Sequence, residues 1–246
     1  ILMVLMLGAT DAVLAQEDDY IYSQAPTESR IGTTVYPGRP GWVAQEVPAQ
    51  DRLVRWVQGQ VPLYNQLDNV GTEWTSCGPT TLAMALNYSA SGPTPQEIIE
   101  YAVSHRGQDG TPLYKPQDPD KVFTSPKNLF EIAERYGRPQ DGWVTDEREA
   151  KERLRELLNE NLPVVVDVTV SLSRRGSNSA HCVLVTGIGT DNTVTIHDPY
   201  GAGLGAQVRA VSWDDFYWAW QNNSDGSVGG QGWWMVVRSD WSATVG

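Results

Sequence analysis

The chain carries two cysteines and three histidines, and the surroundings of one of each could make an activated nucleophile. Thr75-Ser76-Cys77-Gly78-Pro79-Thr80 puts a thiol where a loop runs into an apolar helix. A helix N-terminus presents unpaired N–H groups and partial positive charge. Both favour thiolate over thiol, and the thiolate is the reactive form of cysteine. Gly78 would let a substrate backbone come close. Pro79 suits the first helical turn, where a missing N–H does no harm. The competing reading is a buried, inert cysteine, since the residue is often a small core hydrophobe.

A second stretch, Ala180-His181-Cys182-Val183-Leu184-Val185-Thr186-Gly187, reads as a strand. Alternation places His181 with Val183 and Val185 on one face, and Cys182 with Leu184 and Thr186 on the other. On a regular strand His181 and Cys182 therefore do not both reach Cys77. Two arrangements stay open. A Cys77–Cys182 disulfide would occupy the candidate nucleophile. Alternatively, His181 turns toward Cys77 and Cys182 packs in the core. The third stretch is Ile196-His197-Asp198-Pro199-Tyr200-Gly201. Parity puts Asp198 with Ile196 and Val194, and Pro199 ends the strand. A carboxylate there, beside a neighbouring strand's histidine, can fix the ring's orientation and tautomer. A plain turn aspartate before proline is the alternative. His197 competes as the base, but its parity points it the other way, so it is expected to be a partly exposed structural residue. His105, at a helix end, is expected to cap carbonyls. Upstream, the Gln66 amide could donate to an oxyanion, although Gln58 and Gln60 lie nearby.

The elements that must position these groups follow from pattern and punctuation. Residues 77–89 read as a helix. Thr94-Pro95-Gln96-Glu97 is a capping-box signature that starts a second helix through Ser104. Ser125-Pro126 starts a third, ending at Gly137. Residues 146–160 form a fourth, with Ala150, Leu154, Leu157 and Leu158 on one face and a solvated charge run on the other. Pro163 ends the helical pattern. VVVDVTV, HCVLVTGIG, TVTIHD, AQVRAV and WWMVVR then read as strands, with an Asp191-Asn192 turn between the second and third. Ser212 caps a short aromatic helix, WDDFYWAW. Helices first and mostly antiparallel strands later give an α+β domain. Most of the late tryptophans are expected to pack against the sheet, leaving one or two exposed ones for a substrate groove. Gly201 to Gly205 leads into a strand, not a helix, and so lacks a dinucleotide-binding context. Asn87-Tyr88-Ser89 and Asn222-Asn223-Ser224 are glycosylation sequons.

The 246 residues suffice for one full-sized domain. A net charge of -12 argues against an electrostatic nucleic-acid binder and against adsorption on anionic membranes. Two cysteines make no disulfide framework and no cysteine-rich zinc site, and three histidines leave little room for an all-histidine metal site. Residues 1–15 read as a signal peptide truncated at its start, cleaved after Val13-Leu14-Ala15. Its apolar run is far shorter than a membrane span, which needs about 20 residues. Residues 16–51 form an extended, acidic, Pro-containing segment, and 52–246 the structured domain. The expected location is secreted or in the cell envelope.

Taken in order, Gln66 … SCGPTTLAM … AHCVLVTGIG … VTIHDPYG resembles the papain-like cysteine peptidases related to the bacteriocin-processing, double-glycine leader peptidases. It looks closest to their stand-alone members. The resemblance implies a papain-like fold with Cys77 as nucleophile, His181 as general base and acid, Asp198 orienting His181, and Gln66 as oxyanion donor. It also implies a peptide or protein substrate and no metal or organic cofactor. Two departures stand out. Gln66 lies eleven positions before Cys77, a longer loop than the family's. The double-glycine peptidases work as cytosolic domains of export transporters, whereas this sequence opens on an apparent secretion signal, so Gly-Gly specificity does not carry over. The expected activity is amide-bond hydrolysis through a Cys-His-Asp triad and a thioester acyl-enzyme. The alternatives are a cell-wall amidase or transpeptidase using the same residues, and a non-catalytic binding module on the same fold.

Overall fold

The structure is a computed structural model. It describes residues 61–88, 91–116, 124–201 and 207–238, and the backbone of three short strands before them. The expected cleavage site after Ala15, most of the 16–51 segment, the Gly-rich loop after Gly201 and Trp241 lie outside the described residues. Strands β1 (Thr33–Val35) and β2 (Val43–Gln45) pair antiparallel with each other. Strand β3 (Leu53–Trp56) joins the main sheet.

Three helices follow, the second and third each starting where a side chain caps it. Helix α1 spans Cys77–Leu86. Helix α2, Pro95–Ser104, has the full capping box: Thr94 Oγ1 accepts from the Glu97 N–H, and the Glu97 carboxylate accepts from the Thr94 N–H. Helix α3, Pro126–Glu134, starts at Ser125 as expected but stops three residues short of Gly137. Strand β4 (Arg138–Trp143) begins at once after that turn. Helix α4 spans Glu147–Asn159, with Ala150, Leu154, Leu157 and Leu158 buried. Then come β5 (Val164–Thr169), β6 (Ala180–Gly189), β7 (Thr193–His197) and β8 (Val208–Ser212). Helix α5 (Trp213–Gln221) and β9 (Trp233–Arg238) close the described chain.

The main sheet is antiparallel, in the order β4-β9-β5-β6-β7-β8, with β3 on the far half of β6. The α+β class read from the sequence is the one observed. β5 is buried at every position and β6 at nearly every one, so both faces of the sheet's centre are covered. α1 packs against β6, while α5 and α4 pack against β5. The tryptophans Trp213, Trp220, Trp233 and Trp234 are buried, as the sequence led one to expect. Asn87 of the first sequon is buried and its amide bonds the Ala83 and Pro93 carbonyls, so the folded protein offers no acceptor there.

Gly78 has a different role from the one its position suggested. It is buried, and a Cβ on it would sit 2.7 Å from Thr124 Cγ2, with Leu129 of α3 just beyond. The glycine lets α1 approach its neighbour; it is not a substrate-facing gap. Gly78→Ala gains at most about 1 kcal/mol of helix propensity. Overpacking against Thr124 loses about 1–3 kcal/mol. The expected result is a net loss of stability, read as a lower denaturant midpoint.

Candidate active site

Cys77 is the first residue of α1, and its N-cap, Ser76, makes no side-chain cap bond. Ser76 Oγ instead accepts from Asn69 Nδ2 at 2.9 Å, and the same amide donates to Thr80 Oγ1 at 2.8 Å. A helix whose N-cap side chain is engaged elsewhere keeps its first N–H groups open toward a negative charge. The loop before Cys77 is stitched in place. Thr75 Oγ1 and Tyr114 Oη share a 2.6 Å hydrogen bond. Gln66, 4 % exposed, donates its Nε2 to the Glu73 carbonyl at 2.8 Å and its backbone N–H to the Pro199 carbonyl at 2.8 Å. Gln66 thus ties the Cys77 loop to the turn that carries Asp198. Its Oε1 is buried without a partner.

Strand register places the second and third groups. β6 and β7 pair Leu184 with His197, which sets Asp198 opposite Val183 and on the face of His181. His181 Nε2 donates to Asp198 Oδ1 at 2.7 Å. Both side chains are almost wholly buried. Asp198 Oδ1 also accepts the Tyr200 N–H at 2.9 Å, and its Oδ2 accepts from Arg209 Nη1 at 3.0 Å. With Nε2 committed to Asp198, Nδ1 is the nitrogen left to hydrogen-bond Cys77, and His181 and Cys77 do share a side-chain hydrogen bond.

Cys77 also receives hydrogen bonds from the Cys182 thiol and the Cys182 backbone N–H. This corrects the parity expectation, under which His181 and Cys182 could not both reach it. β7 ends at His197, so the first residues of β6 have an open edge on that side. The start of α1 fills that edge: Thr81 Oγ1 donates to the Cys182 carbonyl at 3.0 Å. Approached along an edge, a strand presents both of its faces at once, along with its backbone. Both cysteines are free, so the disulfide arrangement is not the one formed.

The electrostatics follow from these contacts. Hydrogen bonding from Cys182, then from His181 with its charge, pulls the Cys77 thiol well below its ordinary value, against the opposing effect of burial. Burial works against a charged His181, but the Asp198 carboxylate and Cys77 overcome it and hold the ring's pKa up at about 10. Burial would raise Asp198, yet His181, Arg209 and the Tyr200 N–H keep it low. Cys182 is pushed up by its bond to Cys77, by burial and by Asp167. His197 is buried, not partly exposed as its parity suggested, and burial takes its pKa down to about 3. It is a neutral core residue. His105 is exposed, and its Nδ1–H donates to the Tyr101 carbonyl at 2.8 Å, the capping role expected of it.

The geometry has relatives. A model described as the Peptidase_C39 like family matches residues 58–228, well over half of the chain. The chain belongs to that family. The fold of this C39-like peptidase is similar to a crystal structure from Bacillus anthracis provisionally described as a C39-like peptidase. The TM-score is 0.53 at 18 % identity, over 75 % of this chain and 98 % of that one. No curated protein matches the C39-like chain.

Three groups around the site escaped sequence reasoning. Arg209 lies across from Ile196 in the β7–β8 register and so reaches Asp198. Asp167, opposite Cys182 on β5, is 3 % exposed and hydrogen-bonds Asp225. Burial, then the Asp225 and Cys77 charges, raise the Asp167 pKa well above the usual carboxylate range. A charged residue inside the otherwise apolar run VVVDVTV was the available signal, because such residues are rarely buried without a partner. Tyr114, buried against Thr75, is pushed up to about 12 by burial first of all. Among the described residues, no cluster of side chains could hold a metal ion, and no helix is long and apolar enough to cross a membrane.

Proposed function

We propose that the protein is a cysteine peptidase that cleaves peptide bonds through a Cys77 thioester. The carrying observation is one hydrogen-bonded line: Cys77 at an open helix N-terminus, His181 beside it, and a buried Asp198 holding the far ring nitrogen. A binding module has no use for a thiol held as thiolate against an imidazolium; a nucleophile needs it.

In the resting state His181 is charged and donates Nδ1–H to the Cys77 thiolate. The thiolate attacks the substrate carbonyl carbon. The developing oxyanion is met by the Cys77 N–H and the remaining Gln66 Nε2 hydrogen, the other one being held by Glu73. His181 passes its proton to the leaving amine, giving a thioester and a neutral ring. That ring then takes a proton from water as the water attacks the thioester, and the acid returns with the Cys77 thiolate. Asp198 keeps Nε2 protonated throughout, which fixes Nδ1 as the working atom.

The test is titration by iodoacetamide. One equivalent should modify Cys77 before Cys182, whose thiol is raised, and hydrolysis of a mixed peptide library should fall in step with that modification. Equal labelling of the two cysteines, or full hydrolysis by the alkylated protein, would overturn the reading. The same assay predicts a pH profile. Activity should rise through an acid limb set by Cys77, well below the thiol's ordinary 9.0, and fall near pH 10 as His181 loses its proton. Both limbs belong to the coupled pair. An acid limb close to 9 would mean that the thiolate is not stabilised.

A further inference from the structure

Trp74 is 73 % exposed and Val70 is 86 % exposed, the two most exposed large apolar side chains among the described residues. Both stand on the long loop between Gln66 and Cys77. That loop is held firmly by Asn69, Gln66 and Thr75, whose bonds run to Ser76, Glu73 and Tyr114. Presenting a tryptophan to water from a pinned loop gains the fold nothing, and exposed apolar patches mark binding surfaces. Among the described residues, the aromatic neighbour of Trp74 is Tyr200, at 5.8 Å between ring centroids and a 56° tilt. Trp74 lies three residues before the nucleophile, so the chain keeps it within about 11 Å of Cys77. Tyr200 lies two residues after Asp198, and its own N–H donates to that carboxylate. The pair therefore bridges the loop that leads into Cys77 and the turn that carries Asp198. Beside Trp74, the Glu73 carboxylate folds back to accept the Gly71 N–H at 3.0 Å, which leaves the aromatic surface as the feature offered to a ligand.

We propose that Trp74 and Tyr200 form a subsite for a bulky apolar side chain, aromatic by preference, of the peptide substrate close to the scissile bond. The proposal rests on the peptidase reading of Cys77 and His181. Tilted rings leave an open edge and face that an incoming aromatic side chain can meet in edge-to-face contact. The pinned loop means that little ordering opposes binding.

The experiment profiles cleavage of a mixed peptide library by the wild type, Trp74→Ala and Tyr200→Ala. A parallel measurement follows alkylation of Cys77 by dipeptidyl chloromethyl ketones bearing Phe or Gly at each residue. The wild type should enrich Phe, Tyr, Trp or Leu at one position flanking the cut. Trp74→Ala should lose that enrichment, with kcat/KM on a Phe-containing peptide down about 10- to 100-fold, mainly through KM. Alkylation of Cys77 by iodoacetamide at the wild-type rate would show that the thiolate pair is intact in the variant. Cleavage with the same residue preference in the wild type and both variants overturns the subsite. If the wild type cleaves nothing but the Phe ketone outpaces the Gly ketone, and only while Trp74 is present, the subsite stands and peptide hydrolysis falls. No cleavage and no ketone preference overturns both.

Discussion

Cys77→Ala is expected to lower peptide hydrolysis by at least about ten-thousand-fold while the protein remains folded, measured as kcat on a peptide that the wild type cleaves. What survives is catalysis by binding and the oxyanion donors alone. The second thiol does not rescue the variant, although it touches the first. Cys182 lies in the core, 9 % exposed, with burial and Asp167 opposing its ionisation. Its carbonyl is held by Thr81, and its side chain faces away from His181 on the strand. Cys77→Ser should be nearly as inactive, because a hydroxyl starts from a far higher pKa than a thiol and the same hydrogen bonds cannot ionise it. Cys182→Ala separates donor from nucleophile. It removes the largest influence that lowers Cys77, so the acid limb of alkylation should move to higher pH while the His181 bond remains. Hydrolysis by Cys77→Ala within tenfold of the wild type would remove Cys77 from the mechanism.

How much of this was legible in the sequence depends on how local each determinant is. The starts of α2, α3 and α5 were readable because Thr94, Ser125 and Ser212 each cap a helix with their own side chain. That His181 and Asp198 share a face was readable because parity on adjacent strands is a short-range property, and the β6–β7 register keeps it intact up to Val185. β4 was not readable. Its sequence, RPQDGW, carries three residues that disfavour strands, Pro139, Asp141 and Gly142. It is tolerated as an edge strand on β9, where Pro139 leaves no central ladder broken and Gly142 makes room for the Trp234 ring, whose nearest atom would lie 2.8 Å from a Cβ. The contact between Cys182 and Cys77 was missed for a tertiary reason: parity describes what a strand shows from above and below, and α1 arrives at its edge. Arg209 and the burial of His197 are likewise settled by neighbouring strands, which no local pattern reports.

Asp198→Asn is expected to lower kcat by about a hundredfold or more with little change in the overall structure. The carboxylate does two things here that an amide does not. It accepts Nε2–H from His181, which holds Nδ1 as the nitrogen facing Cys77. An asparagine can donate instead, and a ring that accepts at Nε2 carries its proton on Nδ1, which is then no base toward water. The carboxylate also supplies the charge that outweighs burial and sustains the His181 pKa at about 10. Without it, burial is met only by Cys77, the ring loses its proton at lower pH, and the Cys77 thiolate loses its partner. Alkylation of Cys77 should then need a higher pH. Stability should follow the same charges. A histidine raised from 6.5 to about 10 on folding contributes fully below pH 6.5, and that contribution fades as the pH climbs to 10. A lowered Asp198 contributes above its ordinary 3.8 and loses that contribution as the pH falls. The stability gap between wild type and Asp198→Asn should therefore be widest between about pH 4 and 6.5 and should narrow toward pH 10. A gap that is flat across this range, with kcat within threefold of the wild type, would show that Asp198 is structural and not the group that orients His181.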